Sequence, residues 1–183
     1  MLSVKELRSL SARLSPEQLR KQLGPFVLVQ QPPDLGFSTP RTEMMGSLPV
    51  NVRETKMVAP EKVSAGALGL LFQFDDLVVA TVPPLKDDDE LTVGRQPDND
   101  LVLDHSSVSK RHAVLRWDEA HQRCTVKDLG STNGTHLNAS TRLHNEITLK
   151  SGDILSFGDV GYWYLTTDQL HARLRNSSRG VNV

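Results

Sequence analysis

Residues 123–135 have the sequence RCTVKDLGSTNGT, which indicates the fold class most clearly. Its first five residues alternate polar and apolar side chains, with Cys124 and Val126 on one face, as in a half-buried β-strand. The residues that follow include Asp, Gly, Ser, Thr and Asn, which favour tight turns. A short strand that runs directly into a polar turn cluster is typical of an all-β sandwich or barrel.

The same alternation of short strands and turn clusters extends over residues 65–167. Strand-like runs occur at 68–74, 77–82, 90–94, 123–127, 153–157 and 162–165, and the first two predict a hairpin across Asp75-Asp76. No long helix fits between these runs. We therefore expect an all-β domain over residues 65–167.

The segments outside residues 65–167 have a different character. We expect an N-terminal helical segment and a short strand over residues 1–29. The apolar residues that recur at helical spacing are Val4, Leu7, Leu10 and Leu14. The apolar run at 26–29 predicts either that strand or a docking peptide. Residues 30–64 predict a proline-rich linker, and residues 168–183 predict a C-terminal tail, either a short helix or a loose segment.

Composition excludes several classes of protein. The 183 residues carry a net charge of −1, which argues against an overall electrostatic grip on nucleic acid. The single cysteine excludes an internal disulfide and a multi-cysteine zinc site. No run approaches the roughly 20 apolar residues that span a bilayer, and the N-terminus lacks the apolar stretch of a signal peptide. We expect a cytoplasmic protein without membrane insertion and without a cofactor.

Three polar clusters follow predicted strands: Gly94-Arg95, residues 109–112 and residues 131–135. Loops of a sandwich gather at its two ends. If these three share one end, they present a guanidinium, hydroxyls, a carboxamide and a lysine, with no catalytic carboxylate. A phosphate monoester offers about −1.5 to −2 charges and three acceptor oxygens, and arginine grips two such oxygens with its fork. The chemistry therefore suggests recognition of a phosphorylated peptide.

These clusters resemble the signature of the forkhead-associated (FHA) domain family. Gly-Arg at 94–95, Ser-x-x-His at 109–112 and Ser-Thr-Asn-Gly-Thr at 131–135 occur in the family's order and at similar spacings. Asp128-Leu129-Gly130 and Asn138 also fit. Ala139 departs from the pattern, because the family often has glycine there. The motifs cover residues 91–138, and the whole FHA domain would cover residues 65–167.

The resemblance implies an FHA-type β-sandwich of about eleven strands that binds phosphothreonine peptides. The implied phosphopeptide-binding residues are Arg95, Ser109, Lys110, Thr132 and Asn133. Arg95 and Ser109 would hold the phosphate with help from Thr132. Asn133 would bond the peptide backbone, and Lys110 would add charge at the rim. Gly94, His112 and Gly134 would be structural.

The resemblance predicts an adaptor that couples serine/threonine kinase signalling to protein assembly, and not an enzyme. The alternative is a phosphate-independent scaffold on the same fold. Three other interpretations are less favoured. Ser109 and His112 would be a nucleophile and its base, or the basic N-terminal helices would contact a membrane or nucleic acid. Asp98, Asp100 and Asp104 suggest a calcium loop, but this loop lacks the required glycine and final glutamate. The histidines show no metal-ligand spacing.

The proline-rich linker also offers a hypothesis about regulation. It contains Thr39, Thr42 and Thr55 in a stretch with no visible period. Thr55 has Val58 three residues later, and FHA domains often read the third residue after a phosphothreonine. A phosphorylated Thr55 is therefore a candidate intramolecular ligand; the alternative is that these threonines are ordinary linker residues.

Overall fold

The computed structural model describes residues 2–31, 78–81, 89–138 and 141–179. Its elements, in chain order, are β1 (Leu2–Ser3), α1 (Val4–Arg13), α2 (Pro16–Leu23), β2 (Phe26–Gln30), β3 (Val78–Thr81), β4 (Glu90–Gly94), β5 (Leu101–Val102), β6 (Ala113–Asp118), β7 (Arg123–Asp128), β8 (Thr135–Leu137), β9 (Thr141–Arg142), β10 (Ile147–Thr148), β11 (Ile154–Phe157), β12 (Val160–Thr166) and α3 (Thr167–Arg179). The predicted linker beyond Gln31, the hairpin at Asp75-Asp76, the linker threonines and Ala139 lie outside the described residues.

The strands form two sheets. One has seven strands in the order β1-β3-β2-β12-β11-β8-β9, and the other has five in the order β10-β7-β6-β4-β5. All described pairings are antiparallel except that of β4 with β5. The described residues thus form a β-sandwich of two sheets with few helices. Ten of the strands described above lie within residues 65–167, and the predicted number of about eleven stays a prediction.

The main core lies between the two sheets. The five-stranded sheet contributes Leu91, Val93, Leu115, Trp117, Cys124 and Val126, and the seven-stranded sheet contributes Phe26, Leu28, Leu155, Phe157, Tyr162 and Tyr164. The alternation of the sequence along β4 and β7 puts these side chains on one face. Burial raises the pKa of the Cys124 thiol to about 12. Cys124 is therefore a small core residue and not a reactive thiol.

The N-terminal helices begin at matching capping boxes. Ser3 and Glu6 cap α1, and Ser15 and Gln18 cap α2. The apolar faces of both helices, together with α3, cover the outer face of the seven-stranded sheet. This second core contains Val4, Leu7, Leu19, Leu23, Val27, Val29, Val79, Trp163, Leu165, Leu170 and Leu174.

The N-terminal segment is joined to the sandwich. Strand β2 pairs with β12 on one side and with β3 on the other, so the strand alternative for residues 26–29 is correct and the docking peptide is not. The C-terminal segment begins as helix α3, and Thr167 Oγ1 donates a hydrogen bond of 2.6 Å to the Gly24 carbonyl. The division into segment, linker, domain and tail stays a prediction, but the described parts of the first and last segments share a core with the sheet.

Candidate functional site

The three polar clusters meet at one end of the sandwich. The backbone N–H of Arg95, after β4, donates to the Ser109 carbonyl at 2.9 Å. The backbone N–H of Thr132, after β7, donates to Ser109 Oγ at 3.0 Å. Three loops that are distant in sequence therefore place Arg95, Ser109 and Thr132 side by side, as the sandwich argument requires.

The Arg95 side chain is anchored at one nitrogen. Its Nε donates to the Val108 carbonyl at 3.3 Å, and the side chain is exposed. Within the part of the chain that the structure describes, its two terminal amino groups have no partner. These two amino groups form the outer edge of the guanidinium fork. The anchored Nε thus limits the orientations of a fork that still faces solvent.

Two hydroxyls lie beside this arginine. Ser109 is half-buried and Thr132 is exposed. The Ser109 hydroxyl lies 3.4 Å from Thr132 Oγ1, which is a weak contact. Because this contact is weak, both hydroxyls can donate hydrogen bonds to an anion bound beside them.

Asn133 is exposed, but its amide has a fixed partner. Its Nδ2 donates to the Ser107 carbonyl at 2.8 Å. The Lys110 side chain is also exposed and forms no ion pair among the described residues. The Lys110 backbone carbonyl accepts Asn99 Nδ2 at 2.8 Å, which holds the second loop against the first.

The two glycines of the motifs occupy crowded positions. A Cβ on Gly94 would collide with the Lys110 carbonyl and would lie 2.8 Å from Asn99 Nδ2. Gly134 has a φ of +82°, which side chains disfavour, and a Cβ there would lie 2.6 Å from Arg142 Nε. Gly94 is therefore required for the close approach of the Lys110 backbone, and Gly134 is favoured by its positive φ.

His112 links the second and third loops from inside the core. The ring is fully buried, and its Nδ1 accepts the Ser109 N–H at 3.1 Å. Its Nε2 therefore carries the proton and donates to the Gly134 carbonyl at 3.2 Å. Burial lowers the pKa of His112 below its ordinary value of 6.5, although the Gly134 carbonyl and Asp128 act in the opposite direction.

This geometry argues against Ser109 and His112 as nucleophile and base. The imidazole nitrogen near Ser109 contacts the backbone N–H of that residue and not its hydroxyl. The other nitrogen is occupied by the Gly134 carbonyl. The ring therefore has no free nitrogen with which to take a proton from the serine.

Asp128 organises the third loop, a role that the sequence analysis missed. Its carboxylate accepts the backbone N–H groups of Gly130 and Ser131 at 2.9 Å, the Ser131 hydroxyl at 2.6 Å and the Thr135 hydroxyl at 2.7 Å. Burial alone would raise the pKa of Asp128, but these hydrogen bonds outweigh it and hold the pKa below its ordinary value. The Asp-x-Gly-Ser order, which favours a side-chain-supported turn, was the available signal.

The guanidinium and hydroxyl donors of the site suit an anion. Asp98, from the suggested calcium loop, pairs with Arg111 at 2.9 Å. Across the described ranges, no group of three or more His, Cys, Asp or Glu side chains could hold a metal ion. In those same ranges, no helix is both long and apolar enough to cross a membrane.

The sequence is similar to known proteins over the FHA domain. Residues 91–158 match the family model of the FHA domain. The oxoglutarate dehydrogenase inhibitor of Corynebacterium efficiens is 40% identical over 74 residues, which are 40% of this chain and 49% of that protein. The transcriptional regulatory protein EmbR of Mycobacterium tuberculosis is 33% identical over 79 residues, which are 43% of this chain and 20% of EmbR. The chain thus spans about half of the first relative and a fifth of the second.

Solved structures of similar sequence come from the same family. One structure, described as an analysis of phosphothreonine-dependent FHA domain interactions, is 32% identical, with a TM-score of 0.40 over 43% of this chain and 78% of its own. The FHA domain is a phosphopeptide-binding module and not a catalytic family. Residues 91–158 of this chain belong to the FHA domain family.

Proposed function

We propose that the chain is a cytoplasmic adaptor that binds a threonine-phosphorylated protein and couples serine/threonine kinase signalling to protein assembly. The observation that carries the proposal is the convergence of Arg95, Ser109 and Thr132. A backbone hydrogen bond of 2.9 Å joins the first two residues, and the Thr132 N–H donates to the Ser109 hydroxyl at 3.0 Å. They form a solvent-facing site with a guanidinium and two hydroxyls.

Each donor has a role that follows from its chemistry. The Arg95 fork binds two phosphate oxygens, because an anchored guanidinium matches their spacing. The hydroxyl groups of Ser109 and Thr132 donate hydrogen bonds to the remaining phosphate oxygen. Asn133 accepts or donates a hydrogen bond at the peptide backbone. Lys110 is exposed next to Ser109 and raises the positive potential at the rim.

The relatives support a binding function without naming the target. One solved neighbour is M. tuberculosis EmbR in complex with a low-affinity phosphopeptide, 32% identical with a TM-score of 0.39 over 43% of this chain and 20% of that protein. The curated relatives carry two different functional names, an oxoglutarate dehydrogenase inhibitor and a transcriptional regulator. The shared part is the FHA domain, so the proposal for this chain stops at the phosphorylated partner and its kinase.

The test is a titration of the full chain with phosphothreonine peptides from a degenerate library. Each peptide is compared with its unphosphorylated form, and wild type is compared with Arg95→Ala. Arg175→Ala is the matched control, because Arg175 is an exposed arginine on α3 without an ion pair among the described residues. Phosphate-dependent binding that Arg95→Ala abolishes and Arg175→Ala preserves supports the adaptor. Equal binding of both peptide forms favours the phosphate-independent scaffold.

The linker remains a candidate source of an intramolecular ligand, with Thr55 as the phosphorylated residue. The described chain stops at Gln31, whose N–H donates to the Gly161 carbonyl at 2.8 Å, and resumes at Val78 in the neighbouring strand. Gly161 follows the β11–β12 turn, where the Gly158 N–H bonds the Gly134 carbonyl of the third loop. The described chain therefore leaves β2 beside the start of β12, and this turn contacts the third loop. A tethered phosphothreonine that reaches the site from there has an effective concentration of about 1 mM.

A kinase-treated full chain tests this self-binding. Phosphorylation should weaken the binding of an external phosphopeptide, and Thr55→Ala should restore it. The full chain is needed, because a 65–183 fragment would lack strand β2. Equal binding before and after phosphorylation of Thr55 would contradict the intramolecular ligand.

A further inference from the structure

We infer that Ser107 is a positioning residue for Asn133, and that it determines how the carboxamide of Asn133 faces a bound peptide. Ser107 lies in the β5–β6 loop, outside the three motif clusters, and is only 8% exposed. The inference rests on the proposed phosphopeptide-binding function and adds a residue that acts through Asn133.

Every polar group of Ser107 has a partner. Its backbone N–H donates to His105 Nδ1 at 3.2 Å, so this ring nitrogen is unprotonated. The Ser107 hydroxyl therefore donates to the same nitrogen at 2.8 Å and accepts the Asp159 N–H at 2.9 Å. The Ser107 carbonyl accepts Asn133 Nδ2 at 2.8 Å. One residue thus joins the β5–β6 loop, the β11–β12 turn and the loop that carries Asn133.

This arrangement allows Asn133 only one amide orientation. A carbonyl oxygen cannot donate, so the group of Asn133 that faces Ser107 must be the amide nitrogen. The opposite orientation would bring two acceptors together. The Asn133 Oδ1 atom is consequently free of Ser107 and accepts an N–H from the peptide backbone. Because the orientation is set before the peptide arrives, binding does not have to order this side chain.

The hydroxyl of Ser107 holds the carbonyl in place, and this gives the first test. Ser107→Ala removes the hydrogen bonds of the hydroxyl to His105 Nδ1 and Asp159 N–H, but keeps the backbone N–H and the carbonyl that Asn133 needs. We expect the affinity of the full chain for a phosphothreonine peptide to fall about fivefold, the effect of one typical hydrogen bond. Ser106→Ala is the matched control, because Ser106 is an exposed neighbour. Unchanged affinity in Ser107→Ala would overturn the inference.

A double-mutant cycle separates positioning from a general structural role. If Ser107 acts through Asn133, then Ser107→Ala should have no further effect on affinity in an Asn133→Ala background. A general loss of loop structure would instead lower the affinity by the same factor in both backgrounds. That second result would overturn the positioning role.

The side-chain amide of Asn133 gives a readout that needs no peptide. In ¹H–¹⁵N spectra of the full chain, Ser107→Ala should shift the Asn133 side-chain signals, and Ser106→Ala should not. His105→Ala, a change at an exposed residue, should shift them in the same direction even if Ser107→Ala folds poorly. Signals that stay in place would overturn the inference. Shifted signals in a chain that binds no phosphothreonine peptide would support the positioning and refute the proposed function.

Discussion

Replacing His112 with alanine should destabilise the protein, and binding should be lost mainly as a consequence. The imidazole is fully buried and bridges Ser109 and Gly134, which belong to different loops of the site. Its edge also contacts the Phe157 ring, with centroids 5.8 Å apart. The substitution therefore removes two hydrogen bonds and a packing contact at once.

The size of the effect follows from these contacts. The Ser109 N–H would lose its ring partner, which costs about 1–3 kcal/mol. The Gly134 carbonyl keeps the Gly158 N–H, so the loss of its second hydrogen bond costs about 0.5–1.5 kcal/mol. With the cavity left by the ring, we expect the free energy of unfolding to fall by about 3–5 kcal/mol. Urea unfolding of the full chain, followed by tryptophan fluorescence, measures it. His121→Ala, at an exposed histidine of the β6–β7 turn, should change it by less than about 1 kcal/mol.

The pH dependence supplies a second check on the same residue. The folded chain holds the pKa of His112 below 6.5, so the unfolded chain binds the proton more readily. The contribution of His112 to stability is complete above about pH 6.5, falls as the pH drops below that value and levels off below the lowered pKa of the folded state. His112→Ala should remove this part of the pH dependence. Normal unfolding of His112→Ala together with lost binding would refute this reasoning and indicate direct contact with the ligand.

Three further predictions concern Arg95, the phosphorylated residue of the peptide, and Asp128 in the third loop. Arg95→Ala should weaken phosphopeptide binding by about 2–5 kcal/mol, or roughly 30-fold to several thousand-fold. Its melting temperature should be normal, because the side chain is exposed. A wild-type affinity in calorimetric titration would contradict this prediction. Phosphothreonine should bind more tightly than phosphoserine by about 1–3 kcal/mol, because the resemblance to FHA domains implies a small pocket for the threonine methyl group. Equal affinities of otherwise identical peptides would contradict this prediction. Asp128→Ala should lower stability by about 2–4 kcal/mol, because four donors lose their acceptor; a melting temperature within a degree of wild type would show that the loop does not need this carboxylate.

Local sequence patterns predicted the parts of the fold that depend on local order. The alternation in residues 90–94 and 123–127 predicted β4 and β7, because a strand with one buried face has a period of two. The turn residues after each strand predicted the loops. Arg95, Ser109 and Thr132 could be expected at one end, because strand ends in a sandwich converge there. Their roles in binding phosphate remain predictions.

Contacts between distant segments could not be predicted in the same way. The apolar run that forms β2 has no alternation, so its sequence does not show that Leu28 would pair with Tyr164 of β12. The contribution of Ser107 depends on contacts with His105, Asp159 and Asn133, which come from three loops. No spacing within one loop contains that information.

The most direct test is a structure of the full chain with a phosphothreonine peptide bound. We predict that phosphate oxygens lie within about 3 Å of the terminal nitrogens of Arg95 and of Ser109 Oγ. We also expect Asn133 Oδ1 to accept a backbone N–H from the peptide while Nδ2 keeps its hydrogen bond to Ser107. A phosphate bound elsewhere on the sandwich, or a peptide that leaves Arg95 and Ser109 without contact, would contradict these predictions.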